Sequence, residues 1–287
     1  MLWQKSRRSS NVVRDTGGGG MRFGGGRGLG LGGIVVVVIV GLLFGKNPGE
    51  ILQLLGDMGG GAPTTQQTVP AGGDEQTEFV RAILGSTEDV WGQVFSSGGQ
   101  SYQPPRLVLF QGGVQSACGA ASSAMGPFYC PGDQQVYLDL GFFHEMQQQF
   151  QAAGDFARAY VIAHEVGHHV QNLLGVMQQV QAAAQRGTPM QGAEGLSVRQ
   201  ELQADCFAGV WANHAQAQLN WLEPGDIEEA LNAASRIGDD TLQKQSRGYV
   251  VPDSFTHGTS AERVRWFRTG FSAGNLQACD TFGAASL

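Results

Sequence analysis

The residues best equipped for chemistry are His164, Glu165 and His168, in the run Ala163-His164-Glu165-Val166-Gly167-His168-His169-Val170. Two histidines four residues apart on a helix lie on one face, a turn apart, so both imidazoles can bind one zinc ion. Glu165 is not a ligand in such a pattern. From the neighbouring face it can take a proton from a water activated by the metal. His169 turns about 100° from His168 and is expected to pack or to meet solvent. His144 has no ligand spacing and reads as structural.

This chemistry requires a helix. Phe156, Ala159, Tyr160, Ala163, Gly167, Val170 and Leu174 recur at helical spacing, with Asp155 as an N-cap and Gly175 as the stop. His164 and His168 then border the packed stripe, where a metal is shielded from bulk water.

Two histidines do not hold a catalytic zinc; a third protein ligand is needed, with the fourth position left for water. The metzincin pattern is excluded, because Gln171 and Leu174 stand where its glycine and third histidine would be. Glu201 is the candidate. Glu201 and Asp205 are i and i+4 and face the same way. Ala204, Cys206, Phe207, Ala208, Val210 and Trp211 surround them, and two like charges in apolar surroundings are costly without a cation. Glu201 can bind zinc while Asp205 accepts the free ring N–H of a ligand histidine.

His164-Glu165-x-x-His168 followed by Glu201-x-x-x-Asp205 resembles the gluzincin arrangement. More narrowly, the chain resembles the bacterial neutral zinc metallopeptidase family of membrane-anchored proteins. The stretches Cys118-Gly119, Gly126 to Pro131, Val136 to Asp139, His164 to Gln171, Glu201 to Trp211 and Thr256 to Ser260 carry the resemblance, across most of residues 77–282. It implies a zincin-like peptidase fold with a small sheet beside the metal helix. It brings no substrate.

The expected function is a zinc-dependent endopeptidase, with a zinc-activated water attacking the peptide bond and Glu165 as general base. A further donor is needed for the tetrahedral oxyanion. His257 is the first candidate, with Tyr160 and His214 behind it. Strands at 106–110 or 135–140 could take an extended peptide along an edge. Two other classes stay open: a membrane-anchored binding or scaffold protein with a structural zinc, and a zinc amidase or esterase. A structural site would need a fourth protein ligand.

Composition divides the chain of 287 residues, since 20 of its 44 glycines lie in the first 73. Residues 28–45 carry no charge and span about 27 Å as a helix, enough for a thin hydrocarbon core. Lys5, Arg7, Arg8, Arg14, Arg22 and Arg27 precede them against Asp15 alone. The expected organisation is therefore a basic cytoplasmic leader (1–27), a transmembrane anchor (28–45), a Gly/Pro/Thr/Gln linker (46–73) and an extracytoplasmic peptidase domain (74–287). On this reading the protein is single-pass in the plasma membrane, with the lipid bilayer as one partner and a peptide or protein substrate as the other. After residue 27 the chain carries 12 basic and 24 acidic residues, which argues against nucleic acid. Gly28-x-Gly30-x-x-Gly33 matches a dinucleotide fingerprint, but no strand precedes it.

Four cysteines, none in Cys-x-x-Cys, fit two disulfides in an oxidising compartment. Three pairings are possible. The expected one joins Cys118 to Cys130, closing a short Gly/Ser/Ala-rich loop, and Cys206 to Cys279. Capping signals at Ser197/Gln200, Asp226/Glu229 and Thr259/Glu262 open further helices. The expected class is α+β with helix dominant, plus the N-terminal transmembrane helix.

Overall fold

Leu107-Val108-Leu109-Phe110 is apolar without a break because both faces of its strand are covered. In the computed structural model, which describes residues 1–15, 66–68, 73–139, 141–149 and 154–287, this strand is the middle of a five-stranded sheet. Strand β3 (Arg106–Phe110) pairs in parallel with β1 (Val12–Asp15) and with β7 (Gln135–Asp139). Strand β2 (Gln66–Thr68) adds to β1, and β6 (Phe128–Cys130) adds to β7, both antiparallel.

Side chains alternate between the faces. Val12, Leu107, Leu109, Val136 and Leu138 point into the core shared with the helices. Val13, Val108, Phe110 and Tyr137 point the other way, under the hairpin of β4 (Gly113–Ser116) and β5 (Gly119–Ser122). The Cys118–Cys130 disulfide ties that hairpin to β6. The strands expected to take a peptide, 106–110 and 135–140, are interior: each has neighbours on both sides, so neither offers a free edge.

The helices in chain order are α1 (Glu75–Ser97), α2 (Phe142–Gln149), α3 (Asp155–Leu173), α4 (Val176–Gln185), α5 (Leu196–Leu219), α6 (Asp226–Arg236), α7 (Asp239–Arg247) and α8 (Ser260–Ala273). The class is α+β with helix dominant. Helix α1 runs unbroken through Gly85. That glycine serves close approach, since a Cβ there would lie 2.5 Å from the Arg7 carbonyl oxygen.

Of the three capping boxes, Thr259/Glu262 forms in full. Helix α5 starts from Gly195 with no side-chain cap. Glu229 turns away from its own helix and accepts from Phe156 N at 3.1 Å, capping α3 across 73 residues of chain. Asp155 likewise is not the N-cap of α3 but its first residue, paired with Arg158. Helices α3 and α5 pack through Phe156 and Trp211, whose rings stack 6.0 Å apart. Burying such a side chain is worth roughly 1.5–3 kcal/mol.

The expected transmembrane helix, and with it the single-pass membrane localisation, requires correction. No helix among the described residues is long and apolar enough to cross a membrane. Residues 28–45 themselves lie outside the described residues. What overturns the expected topology is the partner of the leader: Val12, Val13 and Arg14 pair in register with Leu107, Val108 and Leu109. Strand β1 and the domain expected at 74–287 therefore share one sheet and cannot face opposite sides of a bilayer. Of the basic residues that suggested a cytoplasmic leader, Lys5, Arg7, Arg8 and Arg14 are described and have partners within the fold. Arg7 pairs with Glu88 and Asp89, Arg8 with Glu78, and Arg14 with Asp74. Strand β2, likewise, lies within the stretch expected to be a linker.

Candidate metal centre

Gly167, inside the His-Glu-x-x-His run, is where α3 and α5 touch. A Cβ there would lie 3.0 Å from the Ala204 carbonyl oxygen and 3.2 Å from Ala204 Cα. This approach sets the acidic turn of α5 against the histidines of α3. One ligand atom each from His164, His168 and Glu201 lie within 4.8 Å of one another. His164 Nε2 stands 3.2 Å from Glu201 Oε2, and His168 Nε2 stands 3.5 Å from Glu201 Oε1.

The other ring nitrogens decide what the site can accept. His164 Nδ1 donates to Asp205 Oδ1 at 2.8 Å, and His168 Nδ1 donates to Gln171 Oε1 at 2.9 Å. In the neutral rings both Nε2 lone pairs are then aimed at a carboxylate, an arrangement of acceptors that calls for a cation between them. Two imidazole nitrogens and one carboxylate are a catalytic zinc donor set. The residues present fit the ion.

Without metal, protons do the same work. Burial would lower the His164 pKa, but the charge and hydrogen bond of Asp205, with help from Glu201, raise it to about 10. His168 is raised by Glu201 against the same burial. Burial would raise Glu201, yet His168 and His257 hold it well below the carboxylate range. Glu165 goes the other way. It is buried, and desolvation raises its pKa above the ordinary glutamate value despite the neighbouring histidines.

Asp205 sits in a charged network. Arg263 from α8 donates to its two oxygens, Nε to Oδ2 at 2.8 Å and Nη2 to Oδ1 at 3.0 Å, and Tyr160 OH donates to Oδ1. Burial opposes ionisation here too, but Arg263 and His164 bring the Asp205 pKa down to about 2. Helix α8 gets close enough because Gly209 and Gly270 stand at the crossing; a Cβ on Gly270 would run into the Cys206 carbonyl.

His257 is buried and is among the groups that lower the Glu201 pKa. Its loop is held by Asp239, whose Oδ2 accepts from the backbone N–H of Thr256, His257 and Gly258 at 2.6, 2.6 and 3.1 Å. Asp239 Oδ1 lies 3.6 Å from His257 Nδ1. The other oxyanion candidates are engaged elsewhere. Tyr160 is bonded to Asp205, and His214 Nε2 donates to the Gly274 carbonyl at 2.8 Å. His169 packs against Tyr129 and Gln103, and His144 meets Gln148 on the surface. The four cysteines form the disulfides Cys118–Cys130 and Cys206–Cys279.

A family model described as "Putative neutral zinc metallopeptidase" matches residues 1–282. The chain belongs to that family. Relatives of this chain include the uncharacterized protein YpfJ of Escherichia coli (strain K12), 49% identical over 291 residues and covering 99% of each chain. An uncharacterized protein of Mycobacterium tuberculosis (strain ATCC 25618 / H37Rv) is 43% identical over 258 residues, 86% of each chain. No solved structure matches. The match begins at residue 1, in keeping with the place of β1 in the sheet.

Sequence reading missed Arg263, Asp239 and the orienting amide Gln171. Gln171 had been noted only as a departure from another pattern, although i+3 from His168 is a spacing at which helix side chains meet. Asp239 and Arg263 reach their partners across 18 and 58 residues, with no local signal to mark them.

Proposed function

We propose that the chain is a zinc-dependent endopeptidase. His164, His168 and Glu201 would hold the ion through Nε2, Nε2 and the carboxylate. When bound, zinc supplies Lewis acidity, which acidifies water and polarises a scissile carbonyl. Glu165 accepts the water proton and returns it to the leaving amine. A buried carboxylate with a raised pKa suits both steps better than an exposed one. His257, its loop held by Asp239, donates to the oxyanion as it forms. Asp205 keeps His164 in the tautomer that leaves Nε2 free. An extended peptide pairs with β6, the sheet edge beside α3.

The observation that carries this reading is the convergence of three ligand atoms within 4.8 Å beside a buried glutamate that is not one of them. A closed structural site would need a fourth ligand. Among the described residues the cysteines are in disulfides, His214 is bonded to the Gly274 carbonyl, and the third candidate, His257, has its Nδ1 on Thr256 Oγ1 and is not one of the converging ligand group. The acidic balance of the chain argues against nucleic acid as a partner.

Peptide-library profiling of the purified protein, with zinc and with chelator, tests the proposal. Chelator-sensitive cleavage within peptides is expected. Cleavage confined to ester or side-chain amide substrates would overturn the peptidase reading.

A further inference from the structure

The amide of Gln171 can sit either way round, and only one orientation serves a metal. With Oε1 toward the ring, His168 Nδ1 must donate and Nε2 is left as an acceptor. With the amide flipped, Nδ1 must accept, the proton moves to Nε2, and the lone pair that a metal needs is lost. The surroundings of Gln171 fix the choice. Its Nε2 donates to the Gln200 carbonyl at 2.7 Å and to Gln203 Oε1 at 3.0 Å. Gln203 is ambiguous in the same way, and its own Nε2 donates to the Cys279 carbonyl at 3.0 Å. That carbonyl belongs to the C-terminal segment, which the Cys206–Cys279 disulfide fastens to α5.

We propose that Gln203 is a positioning residue of the metal centre: with the disulfide-anchored Cys279 carbonyl it orients Gln171, and through Gln171 it keeps His168 Nε2 free for the metal. The chain His168–Gln171–Gln203–Cys279 is hydrogen-bonded end to end, and each link fixes donor and acceptor for the next. Cys206 also directly follows Asp205, which supports His164. The disulfide therefore joins the anchors of both histidines. A C-terminal segment outside the His-Glu-x-x-His and Glu-x-x-x-Asp motifs becomes part of the site.

This inference rests on the zinc reading, and a double-mutant cycle on zinc affinity separates the two. Zinc dissociation constants, measured by chelator competition, are compared for the unaltered protein, Gln171→Leu, Gln203→Met and the double variant, with metal-free unfolding followed in parallel. Loss of a hydrogen-bonded support behind a ligand weakens metal binding by roughly 10–100-fold, the range expected for Gln171→Leu. Gln203→Met should weaken zinc binding less, by about 3–10-fold, because the Gln200 carbonyl still holds one Gln171 hydrogen. The double variant should be no weaker than Gln171→Leu alone, since Gln203 acts only through Gln171. A Cys206→Ala/Cys279→Ala variant should shift affinity in the same direction as Gln203→Met.

Zinc binding undiminished in Gln203→Met, or fully additive losses in the double variant, would overturn this proposal and leave the zinc reading intact. A fall in metal-free stability without a fall in affinity would show Gln203 to be structural only, and would overturn it equally. Absence of zinc binding by the unaltered protein would overturn both readings.

Discussion

His164 and His168 stand one turn apart on α3 and converge on the same carboxylate, yet what lies behind them is opposite in kind. Behind His164 is a buried ionic network of Asp205, Arg263 and Tyr160. Behind His168 is a neutral relay of two amides ending on a backbone carbonyl. A charged support raises the basicity of its histidine and strengthens its hold on a cation, but breaking one partner strands a buried charge. A neutral support fixes the tautomer at little electrostatic cost. The fold thus places its largest liability and its strongest electrostatic contribution on the same histidine.

The largest expected effect is on the charged side. Arg263→Met strands the Asp205 carboxylate and should cost roughly 3–5 kcal/mol of stability, read by denaturant unfolding of the metal-free protein. Asp205→Asn strands Arg263 in turn, and should weaken zinc binding by roughly 10–100-fold as well. Gln171→Leu should cost only about 1–3 kcal/mol, through unmet hydrogen bonds, while still weakening zinc. Equal stability losses on the two sides would erase the contrast.

A pH series sharpens it. The His164 pKa in the metal-free protein is raised from 6.5 to about 10. Its contribution is therefore fully present below 6.5 and lost as pH rises through about 10. The midpoint of thermal unfolding should fall over that window after chelation, and less so with zinc loaded. Asp205 is depressed from 3.8 to about 2, so its contribution is present above 3.8 and lost as pH falls through about 2. Asp205→Asn should flatten the acid limb, and an unchanged limb would count against the ionic network.

The contrast also shows which parts of the site could be seen in the sequence. His164, Glu165 and His168 form a pattern within a single helix, and Glu201 with Asp205 repeats the same spacing on another. Helical periodicity makes such groups visible because the chain itself sets their geometry. Arg263, Asp239 and Gln203 act across packed elements, and nothing near them in the chain reports their partners. Local signals misled where tertiary contacts claimed the same residues. Glu229 caps α3 rather than its own helix, and Arg7, Arg8 and Arg14 hold the N-terminal segment to acidic residues around α1. A count of basic residues cannot separate that role from a membrane-orienting one. The strands β3 and β7 were legible as short runs, whereas their interior places in the sheet depended on β1, which composition had assigned elsewhere.

The most direct test measures zinc content and peptide hydrolysis together in the unaltered protein and in Glu165→Gln. The amide is nearly isosteric with the carboxylate and Glu165 is not among the proposed ligands, so folding and zinc content should be unchanged. Losing the proton acceptor should lower the hydrolytic rate by about 10²–10⁴-fold. A zinc-loaded Glu165→Gln protein that cleaves peptides as fast as the unaltered one would contradict the assignment of Glu165 as the base.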